Sequence, residues 1–141
     1  MKLSDVLPSV ASLITDEPLL STIPLITAAD PEHNAKLQKA INEIGLCIVA
    51  TVAAGRLKDA KTPLVHIEST VTLSVVENLA RNKSGITALT LVERLLETLH
   101  RAQEGHARAW LRVDNDAFET GPIDGGLVVY FVNLTATSIN G

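Results

Sequence analysis

The stretch Leu64-Val-His-Ile-Glu-Ser-Thr-Val-Thr-Leu-Ser-Val-Val-Glu-Asn78 decides the fold. It keeps a two-residue period, with Val65, Ile67, Val71, Leu73 and Val75 on one side and His66, Glu68, Thr70, Thr72 and Ser74 on the other. Fully extended it reaches on the order of 50 Å, well beyond the usual strand of about five or six residues. One face of so long a strand must cover helices. The other meets water, a cavity or a partner's surface.

Upstream, Leu46 to Ala54 is an almost wholly apolar run rich in β-branched residues, which predicts a strand covered on both faces in the middle of a sheet. Gly55 to Pro63 reads as a polar connection between these two strands. Before them, Asp30-Pro31-Glu32 is a helix start: an N-cap, a proline with preset φ and an acid in the positive first turn. Gly45 is the matching stop, and Ala35, Leu37, Ala40, Ile41 and Ile44 mark one apolar face, so a helix is predicted over Pro31 to Ile44. Leu20 to Thr27 is apolar and extended, and Pro24 confines it to a sheet edge or a loop. Leu3, Val6, Leu7, Val10, Leu13 and Ile14 fall at helical spacing, with Asp5 as N-cap, Pro8 at the tolerated third position and an end before Pro18.

Downstream, Ser84-Gly85 breaks the chain and Thr87 can cap a helix. Its apolar face is Ala88, Leu89, Val92, Leu95, Leu96 and Leu99, and Glu93, Arg94, Glu97 and Arg101 lie opposite. Ala107 to Glu119 and Leu127 to Ala136 are two further strands, joined through Gly121-Pro-Ile-Asp-Gly-Gly126 as a hairpin. The element order is α-β-α-β-β-α-β-β, without internal repeat or low-complexity tract. It predicts an α+β fold: a mixed, mostly antiparallel sheet of four to five strands with helices packed mainly on one face.

Bulk properties narrow the function. The 141 residues suit a single domain, 1–141, with a core of its own. Hydrophobic residues at 46% against charged residues at 20% place the chain among globular proteins, and aromatics at 3% require an aliphatic core. A net charge of −4 supplies no basic footprint for nucleic acid, so sequence-specific DNA or RNA binding is not expected. No secretory leader and no membrane-length apolar run is recognised, so the expectation is a cytoplasmic protein with no membrane partner. The lone cysteine, Cys47, lies in the apolar run Gly45-Leu-Cys-Ile-Val-Ala50 and reads as a buried small hydrophobe.

The search for chemistry returns little. His33, His66, His100 and His106 show no i+3 or i+4 pairing and join no cysteine, so no metal is expected. His100 suits the negative end of its helix. No nucleophile elbow, Walker loop or dinucleotide fingerprint is present. Asn82-Lys-Ser-Gly85 reads as an ordinary turn before a helix, and Asp114-Asn115-Asp116 as a bend or bulge rather than a calcium loop. Trp110, between Arg108 and Arg112, reads as a core ring ahead of a cation–π or interface anchor. No convergent titratable cluster assembles, so catalytic residues and cofactors are both expected to be none.

A wider pattern runs from about Glu17 over most of the chain. Glu17-Pro18-Leu-Leu-Ser-Thr-Ile-Pro24-Leu-Ile leads to a helix and then to Gly45-Leu-Cys-Ile-Val-Ala. Val71-Thr-Leu-Ser-Val-Val-Glu77-Asn78 follows, with Arg81-Asn82, Gly85 and a helix ending in Leu99-His100. It resembles the tail-terminator, or tail-completion, proteins of long-tailed bacteriophages and prophages. The chain departs from that family's pattern in having no proline after Glu77-Asn78 and no tryptophan soon after Leu99-His100. The resemblance implies a compact α+β subunit without enzymatic activity or cofactor. It implies a hexameric homo-oligomer ring that caps the tail tube and joins it to head-completion proteins, cytoplasmic during assembly and then part of the virion tail.

On that reading the polar cluster Glu77, Asn78, Arg81 and Asn82, with His66 and Glu68 on the polar side of the long strand, are candidate interface residues, because polar contacts set register and partner choice. The plainer alternative is that Asn78 makes a turn and Arg81 and Lys83 are solvated. Two other functions stay open. One is a monomeric or dimeric bacterial ligand-binding or regulatory module. The other is an enzyme with a dispersed site, which would need a deep pocket gathering His66, Glu68 and an acid near Asp114.

Overall fold

The computed structural model describes residues 1–58, 63–103, 110–122 and 124–140. The described elements are α1 (Val6–Thr15), β1 (Leu25–Thr27), α2 (His33–Glu43), β2 (Leu46–Leu57), β3 (Val65–Asn78), α3 (Ala88–Gln103), β4 (Leu111–Thr120) and β5 (Leu127–Asn140). The strands form one sheet in the order β1-β2-β3-β5-β4. β1 runs parallel to β2 and every other neighbouring pair is antiparallel. The α+β class, the mixed sheet and the element order are those the sequence predicts.

Alternation along β3 sorts the layers. Val71, Leu73 and Val75 are fully buried and meet Ile48 and Ala50 of β2 and Val132 and Leu134 of β5 in the main core. That core is roofed by α1, through Val6, Val10 and Ile14, and by α3, through Leu91, Val92, Leu95 and Leu99. Burying an aliphatic side chain of this size stabilises by about 1.5–3 kcal/mol, and aliphatics carry nearly all of it in a chain this poor in aromatics. Helix α2 sits on the opposite face. There Ala40, with Leu37 and Ile41 beside it, packs on Ile26, Cys47 and Val76 in a second, smaller cluster. Two helices thus cover one face and a third covers only one end of the other.

Local chemistry explains the element ends. Pro8 occupies the third position of α1, as predicted, but Asp5 makes no side-chain cap to that helix and accepts the Lys2 N–H at 3.1 Å in a preceding 3-10 turn. Helix α2 begins at His33, two residues later than expected, because Asp30 spends its carboxylate on the Glu32 N–H at 2.9 Å and so holds Pro31-Glu32 in a turn. Within the predicted extended stretch Leu20–Thr27, a 3-10 turn takes Leu20–Thr22 and only Leu25–Thr27 becomes strand, at the sheet edge. Strand β2 runs on through Gly55, Arg56 and Leu57, residues expected in the connection. β5 continues to Asn140, past its predicted end at Ala136. The predicted start of β4 at Ala107 lies outside the described residues. The predicted bulge at Asp114-Asn115-Asp116 is present as a register shift between Val113 and Phe118. Trp110 is half-buried against the main core.

Candidate functional site

Strand β3 carries all six candidate residues or leads directly into them, and the structure divides them between its two ends. At the Asn78 end, Glu77 lies on the helix side and is buried. Its Oε1 accepts the Ala88 N–H at 2.9 Å, the first residue of α3, and its Oε2 accepts Asn82 Nδ2 at 2.7 Å. The carboxylate is therefore the anion at the positive end of the principal helix. Thr87 Oγ1 adds a second cap by accepting the Thr90 N–H at 3.2 Å.

Asn82 is saturated in turn. Its Nδ2 also donates to the Ile86 carbonyl at 2.7 Å, and its Oδ1 accepts the Ser84 N–H and hydroxyl at 3.0 and 2.6 Å. Asn78 folds the turn, its Oδ1 accepting the Ala80 N–H at 3.2 Å while its own N–H donates to the Gly45 carbonyl at 2.8 Å. Gly45 has φ +84°, and a Cβ there would stand 2.4 Å from the Asn82 nitrogen. Only glycine lets the end of α2 approach this turn so closely. Arg81 is exposed at the tip. Of the four candidates at this end, Glu77, Asn78 and Asn82 thus bind the molecule's own backbone and one another, as the plainer reading of the turn held for Asn78.

At the Val65 end no helix among the described residues covers the opposite face of the sheet. Thr51, Thr70, Thr72, Ser74, Asn133, Thr135 and Thr137 lie half-buried across β2, β3 and β5. They are linked sideways, with Thr72 Oγ1 to Asn133 Oδ1 at 3.3 Å and Asn133 Nδ2 to Glu119 Oε1 at 3.0 Å. Beyond them lies an open trough of about 580 Å³. Arg56 stands on one rim, Arg112 and Asn115 on the other, with Glu68, Thr70, Thr135 and Asp114 between. Arg56 donates to Glu68 at 2.6 Å, Lys58 approaches the same carboxylate at 3.8 Å, and Thr135 donates its hydroxyl to Asp114.

The Glu68 carboxyl is held below the ordinary glutamate value, first by the Arg56 hydrogen bond and further by the charges of Arg56, Lys58 and Arg112, against an opposing push from burial. It is ionised and paired at neutral pH, which suits recognition and not proton transfer. His66 shares the face but does not line the trough, so the trio of His66, Glu68 and an acid near Asp114 is not gathered in one pocket. Cys47 is fully buried with its thiol pushed up to about 11 by desolvation, a poor nucleophile. Among the described residues no group of three or more His, Cys, Asp or Glu is placed to hold a metal ion. No described helix is long and apolar enough to cross a membrane.

Arg56, Lys58 and the rim position of Arg112 are the residues that sequence reading missed. The signal for Arg56 and Lys58 is the two-residue alternation Ala54, Arg56, Lys58, which carries the strand into the stretch from Gly55 read as a polar connection. No protein-family model matches the chain, and no curated protein matches it.

Proposed function

We propose that the chain is a structural subunit of phage tail assembly, a tail terminator whose copies close into a ring that caps the tail tube and joins it to the head. One observation carries the reading. The polar face of β2, β3 and β5 lies open beyond α2, on strands of 12, 14 and 14 residues. A sheet extended past its own helices is a surface made for another subunit. The hydrogen-bonded threonine and asparagine rungs give that surface a fixed pattern of donors and acceptors, which sets register more than affinity. The saturated network at Glu77 and Asn82 supports the same role by making the subunit rigid. The resemblance of Glu17 to His100 to tail-terminator proteins names the kind of assembly.

Light scattering coupled to gel filtration tests this reading. A discrete multiple of the 15.0 kDa subunit, seen as rings in electron micrographs, is the expected result. A single subunit at every concentration overturns it. The trough favours the second reading, a small ligand-binding module. A monomer that binds a small anion saturably would establish that alternative.

A further inference from the structure

The sheet has two unlike free edges. On one side β1 pairs only with Ile48, Ala50 and the residue between them, so among the described residues Thr51–Leu57 of β2 has no strand beside it. This edge, with Lys58 next to it, carries Arg56 and Lys58, and with their shared partner Glu68 of β3 counted the local charge is +1. On the other side, among the described residues, β4 pairs only with β5. Its Leu111–Thr120 carries Arg112 against Asp114, Asp116 and Glu119, one cation minus three anions, a local charge of −2.

Their apolar groups are matched as well. Leu57, 76% exposed, lies opposite Ile67, and Phe118, 45% exposed, lies opposite Val132, so both project on the α1/α3 side of the sheet. Arg56 and Glu119, opposite Glu68 and Phe131, project on the open side. Each edge therefore shows an apolar side chain on one face with a charge on the other, and the charges are of opposite sign. Strand directions agree too. β2, β3, β5 and β4 alternate in direction, so a second copy set alongside with the same face up brings its β2 antiparallel to the first copy's β4.

We infer that, in the ring proposed above and resting on that reading, the free edge of β2 in one copy docks against β4 of the next. With the second copy displaced by about six residues along the strands, Leu57 packs on Phe118 beneath the shared sheet and Arg56, with Lys58 beside it, faces Glu119 above it. The contact joins two different patches, as a closed head-to-tail ring requires. Bulges between Val52 and Ala54 and between Val113 and Phe118 leave Ala54–Leu57 and Phe118–Thr120 as the regular segments. The main-chain ladder is accordingly short and the charges decide partner choice. Charges and bulges also blunt edges against unwanted pairing. That protective role alone predicts a subunit whose mass does not respond to charge reversal.

The test uses two full-length variants, Arg56→Glu with Lys58→Glu, and Asp116→Lys with Glu119→Lys, weighed by light scattering beside the wild type. Each variant alone is expected to need at least ~tenfold more protein for half-assembly, through like charges meeting across the contact. An equimolar mixture is expected to reassemble, because each variant then offers the other an edge of opposite sign. Recovery on mixing also proves that both variants fold. Wild-type rings that survive in both variants, or variants that dissociate and do not recover on mixing, overturn this contact and leave the ring reading standing. A monomeric wild type overturns both.

Discussion

Glu77 and Glu68 are nine positions apart on the same strand and meet opposite fates. At the Asn78 end, α2 and α3 approach the sheet from its two sides, and the polar groups of Glu77, Asn78 and Asn82 are used up in joining strand, turn and helices. At the Val65 end no helix among the described residues lies over the open face. There Glu68 is held by Arg56, whose side chain is 77% exposed. The comparison teaches that a polar cluster at a strand end is not by itself a surface. What matters is whether a helix terminus with unpaired backbone groups lies within reach to claim it.

Substitutions that break this contrast should fall in a definite order. Gly45→Ala is expected to be worst, roughly 3–4 kcal/mol by chemical denaturation, because a positive φ and overlap with the Asn82 backbone are both imposed. Next is Leu73→Ala, about 3 kcal/mol for a cavity in the main core, whereas Ser74→Ala, one residue on and facing the other way, should stay within ~0.5 kcal/mol. The two glutamates give the direct comparison. Glu77→Ala should cost about 2 kcal/mol by orphaning the Ala88 N–H and Asn82 Nδ2, and Glu68→Ala far less; equal costs would abolish the distinction between the two ends.

The smallest effect is on pH dependence. The folded Glu68 carboxyl lies below its ordinary 4.5, so its stabilising contribution is complete above that pH and fades as pH falls through the lower folded value. Titration followed by NMR should show the depressed midpoint, and Arg56→Ala should return it upward. An unshifted Glu68 would mean that the trough's ion pair does not persist in solution.

The sheet's architecture was legible where the pattern is local and redundant. Alternation in β3, the apolar run of β2 and the caps at Thr87 and Gly45 each follow from short-range sterics and burial. What escaped was tertiary. Nothing local says that α2 takes the face opposite α1 and α3, because any apolar stripe can pack on either side of a sheet. The roles of Glu77 and Asn82 escaped for a related reason: their partners, Ala88 and Ile86, become neighbours only once the turn closes. Arg56 was hidden by reading Gly55 to Pro63 as a polar connection, when a glycine in a strand also fits beside a bulge, as it does here.

The strand latest in the sequence, β5, lies not at the rim but between β3 and β4. Ribosomal synthesis must therefore proceed to Asn140 before the fourteen-residue ladder with β3 can close and β4 can join the rest. A transcript ending early would yield no smaller domain. It would leave β3 with a long naked flank, the kind of template on which misfolded chains accrete and which quality-control proteases clear.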